Sequence, residues 1–133
     1  MKKWMMLIMI TFSLVFLSSC IKVVSMSDME LILIDEGFSI IEYQESQINE
    51  LNLFYEREFN YNYKFTRAIE GRMNQVTQVY IIEFDGQRQA IEFTKLIDNE
   101  EELDIVEFDY YDRIGNIVIL AISEEVLSLF QDV

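Results

Sequence analysis

One cysteine, no histidine and 24 acidic side chains set the chemistry open to this chain of 133 residues. Without histidine the commonest general base, the commonest metal ligand and the usual pH switch are missing. The lone thiol, Cys20, has no second cysteine with which to close a disulfide. The acidic run Asp98, Glu100, Glu101, Glu102 and Asp104 offers oxygen ligands for a hard cation. It lacks the alternating spacing and central glycine of an EF-hand loop, so the expectation is a solvated turn. Asp109 and Asp112 flank Tyr110 and Tyr111 and would suit a paired-carboxylate hydrolase if a sugar cleft lay between them. With carboxylates this abundant, a polar strand end entering a turn explains the pair better.

The aromatic series Phe54, Tyr55, Phe59, Tyr61, Tyr63 and Phe65 has faces on which a sugar or peptide could stack. Its spacing is first helical, then alternating, which predicts core packing. A serine with Lys64 or Lys95 as base would need a motif that neither lysine sits in. There is no phosphate loop, no CxxC and no HExxH. No catalytic residue, metal ligand or cofactor is therefore assigned, and the expectation is a non-catalytic protein.

The elements that would hold these residues are legible from periodicity. Ser27 and Glu30 have capping-box spacing and predict a helix to about Glu36, ended by Gly37. Phe38 to Tyr43 reads as a strand. Ser46 opens a helix whose Ile48, Leu51, Tyr55 and Phe59 form one apolar stripe. Alternation then predicts a strand with Tyr61, Tyr63, Phe65 and Ile69 on one face and Asn62, Lys64, Thr66 and Glu70 on the other. A turn over Gly71 to Gln75 leads into a central strand, Val76 to Phe84, stopped by Asp85-Gly86. Gln87 to Asp98 is helical, with Ala90, Phe93, Thr94 and Ile97 inward. Ile105 to Tyr111 and Asn116 to Ile122 make a second hairpin across Asp112 to Gly115. Ser123 caps a last helix with Glu124 and Glu125 in its first turn and Val126, Leu127 and Phe130 docking it.

The predicted class is α+β: a small, mostly antiparallel sheet with helices packed on one face. The inner β-α-β-β-α-β order resembles the ferredoxin-like arrangement, with an extra N-terminal helix, a fifth strand and a C-terminal helix. The likeness is one of element order and carries no activity with it.

The N-terminus has the parts of an export signal. Lys2 and Lys3 precede an apolar run, Trp4 to Phe16, and the small residues Ser18 and Ser19 follow. The alternative is a permanent membrane helix extended through Ile21, Val23 and Val24, since the run alone is shorter than the roughly 20 residues a spanning helix needs. Leu17-Ser18-Ser19-Cys20 resembles the lipobox of bacterial lipoproteins: an aliphatic residue, two small ones and a cysteine. The resemblance covers residues 1–20. It implies diacylglycerol transfer to the Cys20 sulfur, cleavage before Cys20 and fatty-acyl anchoring, so that the thiol has no redox or metal role.

On this reading 1–19 is a signal peptide, 20–26 a lipidated tether and 27–133 a single domain. Cleavage removes two lysines and no acid, which takes the formal charge from −14 to −16. Such acidity argues against nucleic acid as a partner and against broad docking on anionic headgroups. The expected address is the extracytoplasmic face of the cell membrane. Ile21, rather than Asp, after the cysteine leaves the outer membrane open in a two-membrane cell. The expected function is that of an adaptor binding another envelope protein. A sensor for a cation or small cationic ligand is the second reading, and a small envelope hydrolase the third.

Overall fold

A computed structural model describes residues 25–61, 64–99, 108 and 110–131. Helix α1 (Met26–Asp35) is followed by strand β1 (Ser39–Glu42), helix α2 (Glu45–Phe59), strands β2 (Phe65–Met73) and β3 (Val76–Phe84) and helix α3 (Gln87–Asn99). Strands β4 (Tyr110–Ile114) and β5 (Ile117–Ala121) and the short helix α4 (Glu124–Ser128) complete the order. The five strands form one sheet in the order β1-β2-β3-β5-β4. Every neighbouring pair is antiparallel. The α+β class and the chain order are as expected. The ferredoxin-like resemblance stays one of element order, because β1 pairs directly with β2, the strand α2 leads into, with no third strand between them as a split β-α-β would have.

Helices α1, α2 and α4 start where a side chain satisfies a free backbone donor. At α1 the Ser25 hydroxyl accepts from the Asp28 N–H at 3.2 Å and the Asp28 carboxylate accepts from the Ser25 N–H at 3.3 Å. The box therefore sits two residues earlier than Ser27 and Glu30. Both frames are locally sound. The earlier one puts Met26, Met29 and Leu33 on a single buried stripe. Met26, expected in the tether, is a buried residue of the core. Gly37, at φ +92°, ends the helix in the conformation glycine favours, and the Phe38 N–H returns to the Leu33 carbonyl at 2.9 Å. Ser123 caps α4 as expected, accepting from the Val126 N–H at 3.3 Å.

Two β-bulges set which side chains share a face. Phe65 pairs with Phe84 and Arg67 with Glu83, so Thr66 is an extra residue on β2. The parity of the strand flips there. Phe65 and Ala68 then lie on one face and Ile69 on the other, which corrects the expected grouping of Phe65 with Ile69. Gln78 is the second extra residue, between Gly71–Val79 and Arg72–Thr77. The hairpin that follows is tighter than expected. Met73 pairs with Val76 across Asn74 and Gln75, at φ 55° and 65°, the signature of a two-residue type I′ turn. Ile114 likewise pairs with Ile117 across Gly115-Asn116, so Asp112 and Arg113 belong to β4 rather than to a turn. Of the residues expected in that strand, 105–107 and 109 lie outside the described residues.

Both faces of the sheet are apolar and both are covered. On one, α2 and α3 bury Tyr55, Phe65, Ala68, Phe84, Phe93 and Leu120. These are the helices expected on one face. On the other, the added helices α1 and α4 enclose Met29, Leu33, Ile69, Ile81, Ile119 and Phe130. Strand β3 contributes Ile82 and Phe84 to the first face and Val79 and Ile81 to the second, as its alternation predicts. All five residues of β5 are buried.

Gly71 is where α1 meets the sheet. A Cβ there would stand 2.6 Å from Val79 Cγ1 and 3.2 Å from Leu33 Cδ1. Gly71→Ala is expected to cost about 1–3 kcal/mol in a urea unfolding titration, as overpacking does. Gly86→Ala meets only the flexible end of Gln89 and should lose less than about 1 kcal/mol, the scale of a glycine-to-alanine change at a helix start. Equal losses from the two would contradict the close approach.

Candidate functional site

Glu70 is the one buried charged residue among those described, 6% exposed. It sits in β2 opposite Ile41 of β1 and Tyr80 of β3, on the face covered by α2 and α3. Three elements supply donors to it. The Tyr43 hydroxyl, just after β1, donates to Oε1 at 2.7 Å. Arg72 donates to Oε2 through Nε and Nη2 at 3.1 and 3.0 Å. The Thr77 hydroxyl reaches the same oxygen at 3.4 Å, and Thr77 faces Glu70 because of the bulge at Gln78. The Tyr43 and Tyr80 rings meet edge to face with centroids 6.4 Å apart, and Phe108 packs edge-on against Tyr80 at 4.9 Å.

The electrostatics follow from these contacts. Burial pushes the Glu70 carboxyl up, but hydrogen bonds from Tyr43, Tyr80 and Arg72 outweigh it and hold the group below its ordinary value. Burial raises Tyr43 far above a normal phenol, and donation to Glu70 adds to the rise. Tyr80 is raised for the same two reasons, burial first. The cluster at neutral pH is therefore a carboxylate gripped by two protonated phenols and a guanidinium. A general base needs a pKa near the working pH and a free lone pair. Glu70 is held below that range with both carboxylate oxygens occupied, so the arrangement clamps three strands.

A cavity of about 100 Å³ adjoins the cluster. Tyr43 and Tyr80 belong to its wall, and Leu51, Tyr55, Phe65, Ala68, Ile82 and Leu120 complete the lining. Burial raises the Tyr55 phenol well above its ordinary value. The space admits a small apolar group and holds no unengaged carboxylate. A shallower groove of about 520 Å³ lies between β4 and α4, lined by Tyr110, Tyr111, Glu124, Leu127, Ser128 and Gln131. There Tyr111 donates to Asp98, and that hydrogen bond, ahead of burial, pushes the phenol up to about 12.

Most residues singled out from sequence fall elsewhere. Leu17, Ser18, Ser19 and Cys20 lie outside the described residues, as do Tyr63, Glu100, Glu101, Glu102, Asp104 and Asp109. Asp98 closes α3 and accepts from Tyr111. Asp112 is exposed on β4 and accepts from the Arg113 N–H at 2.8 Å. Lys64 is exposed, and Lys95 pairs with Glu92 at 3.5 Å. Tyr55, Tyr61 and Phe65 are core residues, Phe59 packs against them, and Phe54 is 41% exposed. Among the described residues no group of three or more acidic or cysteine side chains is placed to hold a metal, and no helix is long and apolar enough to cross a membrane.

Glu70 was not legible as a site. The alternation placed it with Asn62, Lys64 and Thr66 on the polar side of the strand. The available signal was a carboxylate inside the run Ala68-Ile69-Glu70-Gly71, where a strand central enough to be apolar on both faces has no polar side. No family model matches the chain, and comparison with curated proteins and solved structures found no match.

Glu70→Gln should lower stability by about 2 kcal/mol at pH 7, the scale of hydrogen bonds to a charged group. The folded carboxyl titrates below its unfolded counterpart, so its contribution is fully present above about pH 4.3 and is lost as pH falls through the folded value. The stability gap between wild type and Glu70→Gln should hold steady from pH 8 to 5 and close below about pH 4. A gap that widens on acidification would contradict the clamp.

Proposed function

We propose that this chain is a bacterial lipoprotein, acylated at Cys20 and held on the extracytoplasmic face of the cell membrane, where its α+β domain binds another envelope protein without catalysing a reaction. In a two-membrane cell the outer membrane suits it equally, since Ile21 follows the cysteine. The observation that carries the reading is the closeness of Cys20 to the fold. Only residues 21–24 separate it from the cap residue Ser25. The five steps from Cys20 to Ser25 span at most about 18 Å at roughly 3.6 Å each. A domain held that close meets partners embedded in or lying on the same bilayer, while its formal charge of −16 after cleavage keeps it off anionic headgroups. The saturated Glu70 carboxylate supports a binding role over a hydrolytic one.

A ligand-sensing role is the second reading, and the cavity of about 100 Å³ beside Tyr43 and Tyr80 favours it. A ligand that enters it stabilises the fold by mass action. A thermal-shift screen of small apolar and cationic compounds should leave the melting temperature unmoved if protein binding is the function. A saturable rise would favour the sensor.

Two measurements test the anchor and the role separately. Intact-mass spectrometry of native material should find a chain beginning at Cys20 and carrying diacylglycerol, whereas Cys20→Ser should remain an unlipidated precursor with Met1. A bare thiol and an intact Met1 in the wild type would end the lipoprotein reading. Crosslinking in native membranes should recover a reproducible protein partner, and its absence would count against the adaptor.

A further inference from the structure

The sheet has two edges, and they are managed differently. Strand β4 carries Asp112 and Arg113, charged side chains of the kind that discourage pairing with another chain. Strand β1 reads Ser39-Ile40-Ile41-Glu42, in which Glu42 is the one charge and no lysine, arginine or proline guards the edge, and Ile41 is 40% exposed. Among the described residues β2 is its sole partner. The register shows which backbone groups are spare. The Tyr43 N–H donates to the Ala68 carbonyl at 2.9 Å. Hydrogen-bonded pairs alternate along an antiparallel ladder, so Ile41–Glu70 is the next such pair. Ile40 and Glu42, opposite Gly71 and Ile69, turn their N–H and C=O groups away from β2.

Charge says what that edge accepts. The stretch from Val23 to Glu56 holds eight acidic residues and no lysine or arginine. Asp35, Glu36, Glu42 and Glu45 all stand exposed around β1. Arg67, reaching Glu42 at 2.6 Å and Glu30 at 2.8 Å from the neighbouring strand, engages two of the eight acids.

We propose that the outer edge of β1 takes up an extended basic segment of the partner protein as a sixth strand. The backbone groups of Ile40 and Glu42 supply up to four main-chain hydrogen bonds. Lysine or arginine side chains of the incoming segment meet the acidic surround, and its aliphatic ones pack beside Ile41. This rests on the protein-binding reading above and adds to it the place and the chemistry of contact.

The test uses the full chain in a nonionic detergent and a fluorescent ten-residue peptide of alternating lysine and valine, followed by anisotropy at physiological salt. Wild type should bind this probe saturably and should ignore the glutamate–valine counterpart. Ile40→Pro removes an N–H that β2 does not use, so it should abolish binding with an unchanged circular-dichroism spectrum. Ile41→Lys changes an exposed side chain and should weaken binding at least tenfold, which keeps the test decisive should the proline variant misfold. Binding that survives both substitutions would be adsorption to an acidic surface and would overturn the proposal. A concentration-dependent dimer lost in Ile40→Pro would assign the edge to a second copy of this chain and would overturn it too. In native membranes, a crosslinked partner retained undiminished by Ile41→Lys would remove the edge and leave the adaptor reading standing.

Discussion

A sheet apolar on both faces is the constraint from which the rest of this domain follows. Strand β5 buries five consecutive residues, and β3 sends Ile82 and Phe84 one way and Val79 and Ile81 the other. Each large aliphatic or aromatic side chain left in water forgoes about 1.5–3 kcal/mol. Neither layer of helices is therefore optional. Helix α1, directly after the N-terminal segment, closes one of the two cores through Met26, Met29 and Leu33 and lies close against Gly71.

The opposite face is not apolar throughout. Helices α2 and α3 cover Phe65, Ala68 and Ile82, but towards the β2–β3 turn the same face carries Glu70, Arg72 and Thr77. Placing a carboxylate there carries a desolvation cost, which the donors from Tyr43, Arg72 and Thr77 offset. The return is registration. Glu70 is satisfied only when the residue after β1, the end of β2 and the start of β3 are all in place. That locks the short strand β1, whose four residues pair with β2 and which, among the described residues, has no strand on its other side.

Much of this was readable in the chain. The alternation of Val76 to Phe84 and its Asp85-Gly86 stop located β3 to the residue, because a strongly apolar strand between clear breakers leaves no other solution. Ser123 announced α4, and the stripe of Ile48, Leu51 and Tyr55 announced α2. The misreadings share one cause. A frame two residues off at α1, the wrong parity beyond Thr66 and a turn too early between β4 and β5 are all choices between locally equivalent registers. The candidate site depended on such a choice: reading Glu70 as solvent-facing was sound for an isolated strand and wrong for one enclosed on both sides.

By itself the sequence determined the apolar N-terminal run, the lone Cys20, the acidic charge, the absence of histidine, the α+β class and the order of elements. Caps, turns and periodicity arise between residues a few positions apart, so they are written locally. Tertiary structure alone decided which helices cover which face, the strand order β1-β2-β3-β5-β4, the two bulges, the enclosure of Glu70 and the edge left open. Those features depend on contacts such as Tyr43 with Glu70 or Arg67 with Glu30, 27 and 37 residues apart. Between such distant positions the balance of burial and hydrogen bonding is settled only when the chain has closed.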